Sequence, residues 1–302
     1  MVFTAYIYCG CFKYSIQYIS DRKLLPAASM AAGFSVLFDV MHTTLWPYPK
    51  IVAHRGGGAL APENTLAALR CGLAHGFHAV EFDVMLSRDA VPVLMHDEQF
   101  GRTVSGTGSV PASSAAELAA LDAGGWFGSA FAGEPVPTYA QAAAFCREQA
   151  IWMNVELKPA AGFEGATGRV AAALTRQLFA AELAAAPVDP CTVPLFSSFS
   201  FDALLAARAA APEIPRGYLV ETIPPDWRAR LQACAAVALH VNHEMLTPDL
   251  AQQIKEAGFG LFCYTVNDPV RAHTLLAWGV DGFCTDRIDL IGADFPPAAA
   301  AG

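Results

Sequence analysis

Six residues fall in three pairs along the chain, His54 with Arg55, Glu81 with Asp83, and Glu156 with Lys158, and each pair closes a short apolar run. In a strand, residues i and i+2 point to one face. Glu81 and Asp83 therefore set two carboxylates side by side, and Glu156 adds a third from a neighbouring strand. Three converging carboxylates repel strongly unless a divalent ion lies among them, and all-oxygen ligation favours a hard cation, Mg²⁺ or Ca²⁺, over zinc. An isolated E-x-D pair is usually a solvated strand edge. Here Phe82 and Val84 alternate with the acids at a strand end, which favours a buried site. His54 and His96 are the imidazoles near this cluster, and imidazole is the usual proton carrier near neutral pH. One histidine after an apolar run is more often structural, but two flanking a carboxylate cluster read as an acid and base pair. Arg55 and Lys158 supply positive charge for an anionic substrate. These residue types alone suit a phosphodiester, a sulfate or a carboxylate ester.

The elements that must position these groups follow one repeating unit: an apolar run, a loop, an amphipathic helix, then glycine and the next run. Asn64 and Thr65 can cap a helix with Leu66, Leu69 and Leu73 on one face, closed by Gly76. Thr247-Pro248 opens another that Gly258 closes, and Asp268-Pro269 a third that Gly279 closes. Helices between strands imply a parallel sheet, because parallel strands need a crossover. Eight parallel strands are expected, ending near His54, Asp83, Lys158, Ser198, Val220, Asn242, Val266 and Asp286. Another apolar run, residues 91–95, follows the second strand too closely for a crossover helix and should fold back antiparallel. Eight strands close a TIM barrel, and catalytic groups sit at the strand ends of such barrels. A doubly wound open sheet is less favoured, since no G-x-G-x-x-G follows the first strand. Residues 100–137, rich in Gly and Ser, are too long for an ordinary barrel loop and read as a small cap at the active-site mouth.

The run His54-Arg55-Gly56, Pro62-Glu63-Asn64-Thr65, Glu81-Phe82-Asp83-Val84 and Pro92-Val93-Leu94-Met95-His96-Asp97 resembles the glycerophosphodiester phosphodiesterase family. Arg102-Thr103, Glu156-Leu157-Lys158, Ser198-Phe199, Thr265-Val266-Asn267, Gly279-Val280-Asp281-Gly282 and Thr285-Asp286 continue the match in order. Trp46-Pro47-Tyr48-Pro49, Gly56-Gly57-Gly58 and Asp122-Ala123-Gly124-Gly125-Trp126 look most like its cytosolic bacterial branch, which works beside a glycerol 3-phosphate uptake system. The resemblance implies a TIM barrel that hydrolyses glycerophosphodiesters to glycerol 3-phosphate and an alcohol. It implies a divalent ion held by Glu81, Asp83 and Glu156, with His54 and His96 as acid and base and Arg55 and Lys158 on the phosphate. It further implies attack by the substrate's own 2-hydroxyl, with a cyclic phosphate that water then opens. Tyr264 departs from the tryptophan that many relatives carry before Thr-Val-Asn; an aromatic wall is kept, while head-group preference is open to change.

Other signals are weaker. His240-Val241-Asn242-His243-Glu244 lacks helical H-E-x-x-H spacing and is not expected to bind metal, although Asn242 could approach substrate. Glu63 is expected to support the first loop. Phe199 reads equally as packing or substrate contact, and Ser105-Gly106-Thr107-Gly108 as a phosphate cradle or simply a cap loop.

Bulk properties fit. The net charge of −9 argues against nucleic acid as a partner while leaving a small anion possible. Eight scattered cysteines without zinc spacing suit free thiols in the cytoplasm. A single barrel domain is expected over residues 46–296, with 1–45 a disordered or non-native extension and 297–302 a disordered tail. Residues 24–38 are apolar but short for a membrane span, broken by Pro26, and no stable membrane association is expected. Three rivals remain: a phospholipase-type enzyme that stops at the cyclic product, a binding module without chemistry, and a membrane-tethered scaffold.

Overall fold

The computed structural model describes residues 2–9, 12–19 and 46–296, and the chain divides into two compact units, Met1–Thr44 and Leu45–Gly302. In the first, strands Val2–Cys9 and Phe12–Ile19 pair antiparallel from Val2 opposite Ile19 to Cys9 opposite Phe12. The apolar stretch at 24–38 and the tail at 297–302 lie outside the described residues.

The second unit is a closed barrel of eight parallel strands: β1 (Ile51–Ala53), β2 (Ala79–Leu86), β3 (Trp152–Leu157), β4 (Leu195–Ser198), β5 (Arg216–Val220), β6 (Ala238–Asn242), β7 (Gly260–Tyr264) and β8 (Gly282–Thr285). Closure is made where Phe283 on β8 pairs with Ile51, and Ala53 pairs with Val80 on β2. Strand β2 runs three residues beyond Asp83. That extension pairs with Pro92–Leu94, which returns antiparallel with Val84 opposite Leu94. The expected fold-back is therefore present, since a few residues admit a hairpin but no crossover.

Seven helices cross between successive strands: α1 (Leu66–Ala74), α2 (Tyr139–Glu148), α3 (Glu164–Leu178), α4 (Phe201–Ala210), α5 (Trp227–Cys234), α6 (Pro248–Glu256) and α7 (Pro269–Ala277). The caps read from sequence hold for α6 and α7, where Thr247 and Asp268 accept backbone N–H groups and proline occupies the first turn. Gly76, Gly258 and Gly279 follow α1, α6 and α7 at φ of 82°, 83° and 86°, the left-handed turn that releases the chain into the next strand. At α1 the cap is Thr65 alone, through its bond from the Ala68 N–H; Asn64 is used elsewhere.

Apolar side chains between barrel and helices form the main core. A second cluster fills the N-terminal end of the barrel. There Trp46 stacks on Phe262 at 5.4 Å and Tyr48 on Trp152 at 5.0 Å, so the Trp-Pro-Tyr-Pro run is a plug. Each such buried aromatic contributes on the order of 1.5–3 kcal/mol. The insertion at 100–137 has its own small core of Val104, Val110, Leu118, Ala123 and Val136 against Met85, Val93 and Met95.

One glycine tests how tightly α1 sits on the barrel mouth. A Cβ on Gly72 would fall 2.2 Å from the carbonyl oxygen of Gly56. Alanine improves helix propensity by about 1 kcal/mol, but the clash is with backbone and cannot rotate away. Gly72→Ala is expected to destabilise the fold by about 1–3 kcal/mol net in urea unfolding; an unchanged midpoint would mean that helix and loop can part freely.

Candidate active site

The C-terminal ends of β1, β2 and β3 bring six of the seven sequence-derived site residues together, and the hairpin arm Pro92–Leu94 brings in the seventh, His96. Asp83 and Glu156 are register partners on β2 and β3, and Glu81 lies two residues back on the same face as Asp83. The three carboxylates are buried, with oxygens within 4.8 Å of one another. Like charges at this spacing repel by roughly 3–4 kcal/mol per pair at an effective dielectric near 20. Burial, then the charge of Asp83, pushes Glu81 up to about 7 and Glu156 up to about 8. Asp83 goes the other way: burial opposes ionisation, but Lys158 and Arg55 outweigh it and hold Asp83 down at about 2. A buried all-oxygen triad of this kind is able to hold a hard divalent ion.

Asp83 is the most constrained of the three. Its carboxylate accepts from Asn64 Nδ2 at 2.8 Å, and its backbone N–H donates to Asn64 Oδ1 at 3.0 Å. Asn64 reaches it from a left-handed backbone at φ 59°. Lys158 Nζ lies 3.2 Å from Glu156 and 3.4 Å from Asp83, and Arg55 Nε lies 3.6 Å from Asp83. The Arg55 N–H donates to Glu81 Oε2 at 3.1 Å, and its guanidinium donates to Glu63 at 2.7 Å. Glu63 also accepts twice from Arg102, so it ties the first loop to the insertion, in keeping with a supporting role.

Each histidine has a carboxylate behind it. His54 Nδ1 lies 2.6 Å from Asp286 Oδ1, leaving Nε2 3.8 Å from Glu81. His96 Nδ1 lies 2.6 Å from Asp97, which Arg102 holds in turn. A carboxylate on one ring nitrogen fixes the tautomer and aims the other nitrogen. Burial lowers the basicity of His54, but Asp286 and Glu81 outweigh it and the net shift is upward. For His96 burial, with Arg55 and Lys158, wins over Asp83 and Asp97 and the shift is downward. Asp286 is fixed by Asn267, which donates to its carboxylate at 2.9 Å and accepts its N–H at 2.8 Å. Asp286, Asp97, Asn267 and Asn64 were absent from the sequence-derived site.

His54, Arg55, Glu81, His96, Glu156 and Lys158 edge a cavity of about 270 Å³ running down into the barrel. Phe199 and Tyr264 form one wall, edge to face at 5.6 Å, so Phe199 sits at the cavity rather than in the core. The Tyr264 hydroxyl donates to the Val220 carbonyl at 2.9 Å. Asn242 is bonded to Glu221 and does not line the cavity, nor do residues 105–108. Among the described residues, the group of three or more close potential metal ligands is Glu81, Asp83 and Glu156.

A family model described as the Glycerophosphoryl diester phosphodiesterase family matches residues 54–290. The chain belongs to this family. A putative glycerophosphodiester phosphodiesterase of Bacillus subtilis is 32% identical over 250 residues, covering 81% of this chain and 97% of that protein. A glycerophosphodiester phosphodiesterase of Caldanaerobacter subterraneus is 30% identical over 238 residues, covering 78% and 93%. Among solved structures, an Oleispira antarctica phosphodiesterase in complex with the product sn-glycerol 3-phosphate superposes with a TM-score of 0.71 at 37% identity, covering 79% of this chain and 93% of that one. Family members thus share the barrel that carries this site. No helix among the described residues is long and apolar enough to cross a membrane.

Proposed function

We propose that the chain hydrolyses glycerophosphodiesters to sn-glycerol 3-phosphate and an alcohol. The observation that carries this reading is the convergence, at one barrel mouth, of a buried carboxylate triad, two carboxylate-backed histidines and two cations. Family membership and the product-bound relative narrow the anion to a glycerophosphodiester.

Glu81, Asp83 and Glu156 would hold one divalent ion, Mg²⁺ or Ca²⁺. Bound there, it supplies charge stabilisation to the phosphoryl oxygens as the transition state forms. Arg55 and Lys158 bind and orient the phosphate. One histidine takes the proton of the substrate's 2-hydroxyl as that oxygen bonds to phosphorus, and the other protonates the head-group oxygen as its P–O bond breaks. Water then opens the cyclic phosphate at the 2-oxygen with the histidine roles exchanged, which gives glycerol 3-phosphate. Asp286 and Asp97 keep the two rings in place. The six cysteines whose side chains are described are free thiols, which suits the cytoplasmic setting proposed for the enzyme.

The purified chain, supplied with Mg²⁺ or Ca²⁺, is expected to release sn-glycerol 3-phosphate from glycerophosphocholine in a coupled dehydrogenase assay. Folded, metal-supplied protein that releases none from choline, ethanolamine and glycerol diesters alike would favour the binding-module reading instead.

A further inference from the structure

Two observations lie on opposite sides of His54. The first is the floor of the deep cavity. Nine buried side-chain atoms among the described residues have no hydrogen-bond partner, and five of them line this one cavity: Arg55 Nε, Asn154 Oδ1, Ser197 Oγ and both ring nitrogens of His240. Buried polar atoms are nearly always paired, so such a concentration in one place marks a space built for a polar guest. Asn154 lies two residues before Glu156 on β3 and shares its face, one layer deeper in the barrel. His240 reaches over β5 because Gly217 stands there; a Cβ at Gly217 would fall 2.3 Å from the imidazole Nε2. Burial pushes His240 down to about 3, so its ring is neutral, with one donor and one acceptor. An amide oxygen, a hydroxyl and a neutral imidazole offer no charge to an anion. They match the donors and acceptors of a polyol.

The second observation is a groove of about 390 Å³ on the other side, which shares His54 and Arg55 with the deep cavity and is bounded by Asp286, Trp126 and Phe127. Trp126 is 44% exposed, unusually so for an indole. The turn that presents it is tied down: the Asp122 carboxylate accepts the N–H groups of Gly124 and Gly125 at 2.9 and 2.8 Å, and the indole N–H donates to the Ala123 carbonyl at 2.8 Å. Phe127 meets it edge to face at 5.6 Å. With the N–H committed, what remains for a ligand is the aromatic face.

A phosphodiester has two ester arms, and the two cavities meet at Arg55 and His54. We propose that the substrate lies across this junction in one direction: the glycerol arm goes down, with its terminal hydroxyl on Asn154, Ser197 and His240 and its 2-hydroxyl beside phosphorus, and the head-group alcohol lies in the groove against Trp126. This rests on the reading of the chain as a glycerophosphodiesterase and extends it to a binding direction. It also separates the histidines. His54 borders both spaces and stands beside the head-group oxygen, whereas His96 borders only the deep one and stands beside the glycerol hydroxyl. An aromatic face favours a quaternary ammonium over a neutral polyol, so the groove ranks choline above glycerol as a head group.

Two measurements test the two arms. In the first, sn-glycerol 3-phosphate and propyl phosphate compete as inhibitors of the metal-loaded enzyme. The wild type is expected to prefer the glycerol compound by at least about tenfold, since propyl phosphate leaves the floor unpaired. Ser197→Ala and His240→Gln are expected to shrink that preference, with circular dichroism confirming the fold. Absence of a wild-type preference, or its survival in both variants, would show that the floor holds only water and overturn the assignment. In the second, Trp126→Ala is expected to lower kcat/KM for glycerophosphocholine by about 3- to 30-fold and that for glycerophosphoglycerol far less. An equal loss on both, or none on either, overturns the groove. Failure of every diester with the folded wild type would sink the proposed activity itself, a result distinct from either of these.

Discussion

Excess EDTA is expected to abolish turnover, and Glu81→Gln to lower kcat by at least about 10³-fold even with Mg²⁺ or Ca²⁺ supplied, because several kcal/mol of transition-state charge stabilisation is lost. Glutamine keeps the shape and an oxygen to accept the Arg55 N–H, so the substitution removes one charge from the triad and little else. Calorimetry is expected to find one tight divalent ion per wild-type chain and a much weaker one in the variant. Melting should move in a telling way. An ion at about 100 times its dissociation constant stabilises by about 2.7 kcal/mol, and for a domain of this size each kcal/mol moves Tm by about 2–4 °C. The wild type should therefore gain roughly 5 °C or more with metal. In EDTA the order should reverse, with the variant at least as stable as the wild type, since it no longer sets Glu81 beside Asp83 in a buried site. Full activity in EDTA together with an active Glu81→Gln protein would remove the ion from the mechanism.

The convergence of His54, Arg55, Glu81, Asp83, His96, Glu156 and Lys158 at one barrel mouth was legible in the sequence because each closes or follows an apolar run. Glu81, Asp83 and Glu156 interrupt largely apolar runs near strand ends, and closing glycines after three of the helices mark where the next strand begins. What escaped was made by closure of the barrel or depended on backbone conformation. Asp286 meets His54 only because β8 closes on β1, placing residues 232 apart in sequence within 2.6 Å. Asp97 is adjacent to His96, but a carboxylate beside a histidine in sequence usually faces water. Asn64 is a residue type that caps helices, and only its left-handed backbone diverts it to Asp83. The floor carried a usable sign that went unread: Asn154 stands two before Glu156 and so shares its face. Ser197 and His240 carried no comparable sign, because their pairing with that layer depends on the register of β4 and β6.

The two histidines should fail differently when removed. General acid or base catalysis contributes about 10²–10⁴-fold, so His54→Ala and His96→Ala should each cost that much on glycerophosphocholine. The choline alkoxide is a poor leaving group and needs a proton as its bond to phosphorus breaks. A glycerophosphodiester of p-nitrophenol has a weakly basic leaving oxygen and does not need one. If His54 stands beside the head group, single-turnover release of nitrophenol, which precedes opening of the cyclic phosphate, should be largely restored in His54→Ala, while the loss at His96 persists, since the glycerol hydroxyl must still be deprotonated. The geometry gives this asymmetry a physical basis. His54 is backed by Asp286 and borders the groove, whereas His96 is backed by Asp97 and borders the deep cavity with Lys158. Rescue of His96→Ala instead of His54→Ala would reverse the substrate in the site and exchange the two roles. Equal losses on both esters would mean that neither ring acts on the leaving oxygen in the rate-limiting step. Asp286 holds His54 at 2.6 Å as well as bordering the groove, so Asp286→Asn should follow the His54 pattern with a smaller loss, which separates a positioning defect from a folding one.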